Sequence, residues 1–176
     1  MGGESQPTIN PDDGTFSHYN TTAPKETKVF SLFNNKGKTA IVTGAGAGIG
    51  LVVAQALAES GANVAIWYHG NKEAIDRARE IEVEYGVKCR AYPSDIRSPD
   101  SITSLLTTCI ADFSGRLDIF VANAGIPWTS GCFLDGPLHS YDSVMKTDLD
   151  SVYYCARAAG RFQTAYNAAK AGVVQM

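Results

Sequence analysis

Four glycines lie close together in the segment Thr43–Gly50, at positions 44, 46, 48 and 50. Glycine lets a backbone turn sharply and approach a ligand closely, because it has no Cβ. Where such a run follows a strand and opens a helix, free N–H groups and the positive end of the helix dipole meet a phosphate. The segment therefore predicts a site for the pyrophosphate of a nucleotide.

The spacing of these glycines separates several kinds of nucleotide site. The common dinucleotide pattern GxGxxG needs glycine at position 49, where the chain has Ile49. A methyltransferase-like GxGxG fits positions 44, 46 and 48, but the acidic residue expected just ahead is replaced by Val42. The pattern GxxxGxG fits Gly44, Gly48 and Gly50. This third pattern is the one that the whole segment satisfies.

A second candidate for chemistry is Tyr166, which stands four residues before Lys170 and shares a face with it on a helix. A tyrosine hydroxyl can give or take a proton in catalysis. A free tyrosine has a pKa of about 10, too high for efficient proton transfer at neutral pH. A cation one helical turn away stabilises the phenolate and lowers that pKa. On its own such a pair is most often two exposed side chains without a function. Whether it indicates catalysis therefore depends on the motifs upstream.

Alternating strands and helices position these residues. The apolar strand Thr39–Thr43 precedes the glycines, and a helix at Ile49–Ser60 follows them. Further strands are predicted at Asn63–Trp67, Val87–Tyr92 and Leu117–Val121, and further helices at Lys72–Tyr85 (capped by Gly86), 99–113 (capped by Ser98) and His139–Gly160. This alternation predicts one α/β domain, a doubly wound parallel sheet with helices on both faces.

Composition excludes several classes of protein. The chain has 176 residues, of which 44% are hydrophobic and 19% charged, with a net charge of −3. Those values are typical of an ordinary globular domain, and the chain lacks the excess of basic residues that binds nucleic acid. No run approaches the roughly 18 apolar residues of a membrane span. Neither nucleic acid nor a membrane is therefore expected as a partner.

The ends and the cysteines complete this picture. Residues 1–35 have few apolar positions and no period, which predicts a flexible leader with order returning near Val29–Phe33, before a domain at 36–176. The start is neither basic nor apolar, so no secretory signal is expected. Four widely spaced cysteines without a CxxC pair predict free thiols, no metal site and a reducing, cytoplasmic location.

Three motifs in order resemble the short-chain dehydrogenase/reductase family. The cofactor loop of that family reads TGxxxGIG, as Thr43–Gly50 does; Asn123-Ala124-Gly125 closes the fourth strand, and Tyr166–Lys170 matches the YxxxK pair. The stretches AIWYHGN, VANAGIPWT and DLDSVYYCA are similar to the fungal NADPH-dependent carbonyl and ketose reductases, of the sorbose reductase and mannitol 2-dehydrogenase type. The resemblance covers residues from about 30 to 176 and implies a Rossmann-like oxidoreductase.

The resemblance also implies a role for each matching residue. Tyr166 becomes the acid/base, and Lys170 also holds the nicotinamide ribose. Asp95, after the third strand, contacts the adenine, and Asn123 supports the cofactor and the central sheet. The residues expected to bind the cofactor are Gly44, Gly48, Ile49, Gly50, His69, Asn71, Lys72, Asp95, Asn123, Ala124, Gly125, Tyr166 and Lys170, and those expected in catalysis are Tyr166, Lys170 and Asp148.

The end of the second strand favours NADP(H) over NAD. An NAD site usually places a carboxylate there, which accepts a hydrogen bond from the ribose 2′-OH. Here the segment Trp67–Lys72 contains no carboxylate. A 2′-phosphate would be repelled by an acid and stabilised by Asn71, Lys72 or a protonated His69. Lys72 alone also fits the solvated start of a helix, so the missing carboxylate is the stronger argument.

Two features depart from the family pattern. Asp148 stands where the family has an asparagine, and a carboxylate can order a water but cannot donate a hydrogen bond unless protonated. Five residues separate Gly160 from Tyr166, too few for a strand of about 5–6 residues and its connections. The fifth strand, with the family's serine, is therefore expected to be missing, and the chain stops at Met176, early in the Tyr166 helix.

Three explanations fit the missing strand. Residues have been lost from the sequence, the transcript is aberrant, or the protein is a shortened one. The leading hypothesis is an NADPH-dependent reductase of ketoses or other ketones, a dimer or tetramer if the domain is complete. The alternative is a catalytically silent dinucleotide-binding protein or a truncated, inactive product. Alone, the chain is expected to be poorly soluble and nearly inactive, because a parallel sheet without an inner strand exposes its backbone.

Overall fold

The computed structural model describes residues 29–132 and 134–160. The elements in chain order are α1 (Val29–Leu32), β1 (Thr39–Thr43), α2 (Gly48–Glu59), β2 (Asn63–Tyr68), α3 (Ala74–Tyr85), β3 (Cys89–Pro93), α4 (Pro99–Asp112), β4 (Ile119–Val121), α5 (Leu138–Val144), a π-helical turn (Met145–Asp150) and α6 (Ser151–Gly160). The chain divides into two units, residues 1–33 and 34–176, and α1 is the described part of the first. Most of the predicted leader and the Tyr166–Lys170 pair lie outside the described residues.

The four described strands form one parallel sheet in the order β3-β2-β1-β4. Thr43 pairs with Trp67 at the end of β1 and β2, and Val42 pairs with Val121 of β4. The parallel α/β fold predicted from the alternation of strands and helices is confirmed. Because all strands run the same way, their carboxyl ends meet at one edge of the sheet.

Helices cover both faces of the sheet, so both faces of β1 are buried. On one face, Ile41 and Trp67 pack in a cluster with apolar side chains of α4 and α6. On the other, Val42 and Ile66 pack in a cluster with apolar side chains of α2 and α3. Strands buried on both sides are near-continuous apolar runs, and the sequences of β1 (TAIVT) and β2 (NVAIWY) have this pattern.

Two caps stand where the sequence predicts them. Gly86 ends α3 in the left-handed region, with φ of +66°. Ser98 precedes α4, and its Oγ accepts a hydrogen bond from the backbone N–H of Ser101 at 3.3 Å. Pro99 occupies the first turn of α4, where a missing N–H costs nothing. These local signals therefore locate both helix ends correctly.

Two elements begin two residues later than predicted. The helix α3 begins at Ala74 rather than Lys72, and in the preceding turn the N–H of Glu73 donates to Oδ1 of Asn71 at 3.0 Å. The strand β3 begins at Cys89 rather than Val87, and the N–H of Lys88 donates to Oδ1 of Asn63 at 3.0 Å.

The prediction of one uninterrupted α-helix over 139–160 is wrong in its middle. The π-helical turn Met145–Asp150 separates α5 from α6. Such turns insert an extra residue and often occur at functional sites. Apolar spacing cannot reveal this turn, because the residues on both sides keep a helical period. None of the described helices is long and apolar enough to cross a membrane.

The four cysteines are free thiols, as predicted. Cys89, Cys109 and Cys155 are buried, and burial raises the pKa of each thiol to about 12. The Sγ atom of Cys109 accepts a hydrogen bond from the indole N–H of Trp67 at 3.1 Å. These three thiols therefore act as small core side chains rather than as nucleophiles.

Candidate functional site

A cavity of about 280 Å³ opens at the carboxyl ends of the strands. Loops that follow β1, β2, β3 and β4 contribute to it, together with the π-helical turn. Its lining residues are Gly44, His69, Ser94, Asp95, Ile96, Arg97, Asn123, Ala124, Gly125, Ile126 and Thr147. This edge of a doubly wound sheet is where such folds bind nucleotides.

The glycine turn leads into α2 without a side-chain cap. Gly44 and Gly48 have φ of +67° and +58°, a region in which other residues are strained. Ala47 precedes the helix in extended conformation, and its side chain makes no capping hydrogen bond. The first N–H groups of this 12-residue helix therefore lack a side-chain acceptor. A phosphate group would supply one.

The glycines of this turn serve two different needs, close packing and a positive φ. A Cβ on Gly50 would lie 2.5 Å from Nδ2 of Asn123 and 2.7 Å from the carbonyl oxygen of Gly44. A Cβ on Gly44 would lie 2.8 Å from Cα of Ala124. A Cβ on Gly48 would meet nothing within 4 Å, so that position needs glycine only for its φ. Gly44 and Gly50 thus let the first loop pack directly on the loop after β4.

Thr43 joins these two loops, and sequence reasoning did not select it as a site residue. Its Oγ1 atom accepts hydrogen bonds from the N–H groups of Asn123 and Ala124, both at 3.0 Å. The same hydroxyl donates to the carbonyl oxygen of Val121 at 3.4 Å. Nδ2 of Asn123 returns a hydrogen bond to the carbonyl oxygen of Thr43 at 3.0 Å. A polar residue that ends an otherwise apolar strand was the available signal.

The end of β2 contains three residues predicted to contact the cofactor. Nδ2 of Asn71 donates to the carbonyl oxygen of Gly46 at 3.3 Å, which ties this segment to the glycine turn. Nδ1 of His69 lies 3.1 Å from the carbonyl oxygen of Ser94 and donates to it, because a carbonyl only accepts. Nε2 of His69 is not used in that bond, and Lys72 is exposed.

The end of β3 contributes an ion pair to the cavity. The Nε and Nη2 atoms of Arg97 donate to the two carboxylate oxygens of Asp95 at 2.9 and 3.0 Å. The Arg97 guanidinium and its backbone N–H hold the pKa of Asp95 down to about 2. Arg97 was missed in the sequence because an exposed arginine carries no motif of its own.

Asp148 lies behind the cavity rather than in its lining. Its Oδ1 atom accepts a hydrogen bond from the N–H of Ile126 at 2.9 Å. A Cβ on Gly125 would lie 2.9 Å from Oδ2 of Asp148, so a side chain there would displace the carboxylate. The neighbouring residue Thr147 lines the cavity instead. The structure therefore places Asp148 as a support of the loop after β4.

The structure brings together part of the predicted set. His69 and Asp95 line the cavity with Gly44 and the three residues Asn123–Gly125. The others flank it: Gly48 and Gly50 in the turn, Ile49 with 78% of its surface exposed, and Asn71 and Lys72 beyond β2. Tyr166 and Lys170 lie outside the described residues. Within the described ranges, no cluster of histidine, cysteine and acidic residues could hold a metal ion.

A family profile described as "Enoyl-(Acyl carrier protein) reductase" matches residues 44–176. An L-xylulose reductase of Hypocrea jecorina is 52% identical over 148 residues, which cover 84% of this chain and 51% of that protein. A sorbose reductase of Candida albicans is 43% identical over 145 residues, covering 80% and 50%. The chain thus spans about half the length of these curated relatives.

Solved structures agree with this similarity. An NADPH-dependent 3-quinuclidinone reductase from Rhodotorula rubra superposes with a TM-score of 0.73 and 31% identity, over 83% of this chain and 55% of that one. A short-chain dehydrogenase from Burkholderia cenocepacia, determined in complex with NADP, superposes with a TM-score of 0.68 and 33% identity, over 73% and 51%.

One alignment has more positions than the number of residues that this chain contributes to it. An NADP-dependent mannitol dehydrogenase of Aureobasidium melanogenum aligns over 181 positions at 40% identity, covering 87% of this chain and 67% of that protein. That share corresponds to about 153 of the 176 residues, so about 28 aligned positions have no counterpart here. A gap of about 28 positions is longer than a strand of about 6 residues with its two connections.

Proposed function

Because the chain belongs to the short-chain dehydrogenase/reductase family, we propose that the cavity at the carboxyl ends of its strands binds NADP(H). We propose further that the chain is the cofactor-binding part of an oxidoreductase that interconverts a ketose or other ketone and its alcohol. The observation that carries the proposal is the uncapped start of α2, set directly against the loop after β4.

The residues at that edge fit a dinucleotide. The free N–H groups of the first turn of α2 would hold the pyrophosphate, which the helix dipole favours. The carboxylate of Asp95 only accepts hydrogen bonds, so it suits the 6-amino group of adenine. Asn123–Gly125 would lie beside the nicotinamide half. When bound, the cofactor would supply the hydride.

The end of β2 supports NADP(H) rather than NAD. No carboxylate lies between Trp67 and Lys72, so nothing in that segment would repel a 2′-phosphate. His69 lines the cavity with its Nε2 atom outside the bond to Ser94, and Lys72 is exposed. Asn71 would act through the turn that it holds at Gly46. The mannitol dehydrogenases of Yarrowia lipolytica and Aureobasidium melanogenum carry NADP in their names.

We propose the acid/base chemistry from the sequence pattern. Tyr166 would protonate the developing alkoxide, and Lys170 would stabilise its phenolate and hold the nicotinamide ribose. Asp148 would act as a positioning residue, since it holds the backbone of Ile126 at the cavity. The names L-xylulose reductase and sorbose reductase favour a ketose as the substrate.

A second candidate function is dinucleotide binding without catalysis. It is favoured by the five residues between Gly160 and Tyr166 and by the unmatched positions in the mannitol dehydrogenase alignment. A chain without the family's serine strand would keep the cavity described above, because that cavity is built from residues before Gly160.

Titration of the 176-residue chain with NADPH and NADH, followed by nucleotide fluorescence, tests the cofactor. We expect NADPH to bind about tenfold more tightly, as charge-assisted contacts to one phosphate allow. Gly50→Ala should weaken NADPH binding at least tenfold, because its Cβ enters the space of Asn123 Nδ2. Gly160→Ala is the matched control, since its Cβ meets nothing within 4 Å.

Absence of NADPH binding, or equal loss in both glycine variants, would contradict the proposed site. NADPH oxidation in the presence of L-xylulose, sorbose or fructose then separates the two candidates. Turnover that is lost in Tyr166→Phe while NADPH binding persists identifies the reductase. NADPH binding without turnover identifies the silent protein.

A further inference from the structure

We infer that Arg97 is a positioning residue for the cofactor's adenine, because it fixes the Asp95 carboxylate as the acceptor of the adenine 6-amino group. This inference rests on the proposed NADP(H) site and adds to it a residue outside every predicted motif. It also predicts which purine the site prefers.

Two parallel hydrogen bonds join the side chains of Arg97 and Asp95. Nε of Arg97 donates to Oδ1 of Asp95 at 2.9 Å, and Nη2 donates to Oδ2 at 3.0 Å. The backbone N–H of Arg97 also donates to Oδ1 at 3.1 Å. Three donors from one residue define the plane of the carboxylate, which a single bond cannot do. Oδ2 accepts only one of these bonds and therefore keeps acceptor capacity for a further donor.

The location of the pair makes this orientation relevant to a ligand. Both side chains line the cavity that also contains Gly44 and Asn123. Their side chains are 46% and 42% exposed, so the pair borders the cavity instead of being buried in the core. Across the end of the sheet, His69 faces Asp95, and its Nδ1 atom is bonded to Ser94.

The carboxylate is ionised at neutral pH and is therefore an acceptor, as an aspartate with its ordinary pKa already is. The hydrogen bonds from Arg97 lower the pKa of Asp95 to about 2, and the charge of His69 acts in the same direction. An ionised carboxylate accepts from the amino group of adenine but repels the 6-oxo group of hypoxanthine. The site should therefore discriminate between cofactors that differ only at this atom of the purine.

An exposed ion pair by itself contributes little to stability, and the chain has others that serve as comparison. Arg79 and Asp76 form one contact of 2.9 Å between side chains that are each 72% exposed. Neither residue lines the cavity. Arg79 is therefore a matched control, because it also pairs with an aspartate but has no part in the proposed adenine contact.

The test compares NADPH with reduced nicotinamide hypoxanthine dinucleotide phosphate, the 6-oxo analogue, on the full chain. For the parent we expect about tenfold tighter binding of NADPH, the range of a hydrogen bond to a charged group. Arg97→Met should reduce that preference to about twofold, because the freed carboxylate must be ordered on binding. Arg97→Lys should restore part of it, and Arg79→Met should leave it unchanged.

Far-UV circular dichroism confirms that each variant is folded, and Arg97→Lys provides a second, milder variant. A full preference for NADPH in folded Arg97→Met would overturn the inference while leaving the proposed function intact. Equal binding of the two nucleotides by the parent would also overturn it. If the parent binds neither nucleotide, the proposed function itself fails, and the inference fails with it.

Discussion

At the scale of single residues, Thr43 shows how one hydroxyl can define a site. Its Oγ1 atom is the acceptor for two consecutive N–H groups of the loop after β4. Its side chain is buried, so water cannot replace these bonds. Gly44 and Gly50 then allow the same loop to approach within contact distance. The packing of the two loops beside the cavity therefore depends on Thr43 as well as on these glycines.

Thr43→Val keeps the shape of the side chain and removes the acceptor. We expect unfolding free energy to fall by about 1–3 kcal/mol, the cost of leaving buried donors unpaired. Urea denaturation followed by tryptophan fluorescence measures this change. Thr103→Val is the control, because that exposed hydroxyl only donates to the carbonyl oxygen of Pro99 in its own helix. Equal stability of Thr43→Val and the parent would show that the hydroxyl is dispensable.

At the scale of elements, the π-helical turn explains how an acidic side chain reaches the loop after β4. The turn lies between α5 and α6, and Asp148 within it accepts a hydrogen bond from the N–H of Ile126. Ser151 closes the turn by donating to the carbonyl oxygen of Thr147. An asparagine at position 148 would keep this acceptor oxygen. The departure from the family's asparagine therefore preserves the support of the loop.

Asp148→Asn should retain the parent's stability within about 0.5 kcal/mol, whereas Asp148→Ala should lose about 1–2 kcal/mol. Asp150→Ala is the control, because Asp150 is exposed in the same turn. Thermal and urea unfolding measure all three variants. Equal losses of stability in Asp148→Ala and Asp148→Asn would show that the hydrogen bond from the N–H of Ile126 to residue 148 contributes nothing.

At the scale of the whole molecule, one carboxylate helps to join the outer strand to the sheet. Oδ2 of Asp118, just before β4, accepts from the N–H of Thr39 in β1 at 2.9 Å and pairs with Arg116. Burial acts to raise the pKa of Asp118, but the hydrogen bonds from Arg116 and Thr39 outweigh it and lower the pKa. Ionised Asp118 is therefore favoured by the folded state.

A lowered pKa sets the direction of the pH dependence. The stabilisation from Asp118 is present above the pKa of the unfolded aspartate and is lost as the pH falls through the lower folded value. Unfolding free energy should thus decrease below about pH 4. Asp118→Asn should be less stable at pH 6 and should show a shallower decrease, by urea denaturation from pH 6 to pH 2.5. The exposed Asp76→Asn is the control. Identical slopes for Asp118→Asn and the parent would contradict this role.

The amino-acid sequence by itself determined the fold class, the caps at Gly86 and Ser98 and the place of the glycine turn. Each of these depends on neighbours along the chain: apolar periods, turn residues and glycine spacing. The family resemblance added Asp95 and Asn123, and the charge argument for a 2′-phosphate added His69; the structure brings all three to one cavity. Their contacts with a cofactor stay predictions, as do the roles of Tyr166 and Lys170.

Only the tertiary structure decided how those residues are held. Thr43 meets Asn123 across 80 positions of the chain, and Asp148 meets Ile126 across 22. Asp95 and Arg97 are close in sequence, but only their place in the cavity gives their ion pair a possible function. No local pattern encodes such contacts, because they form when separate strands and helices pack and their side chains replace lost water partners.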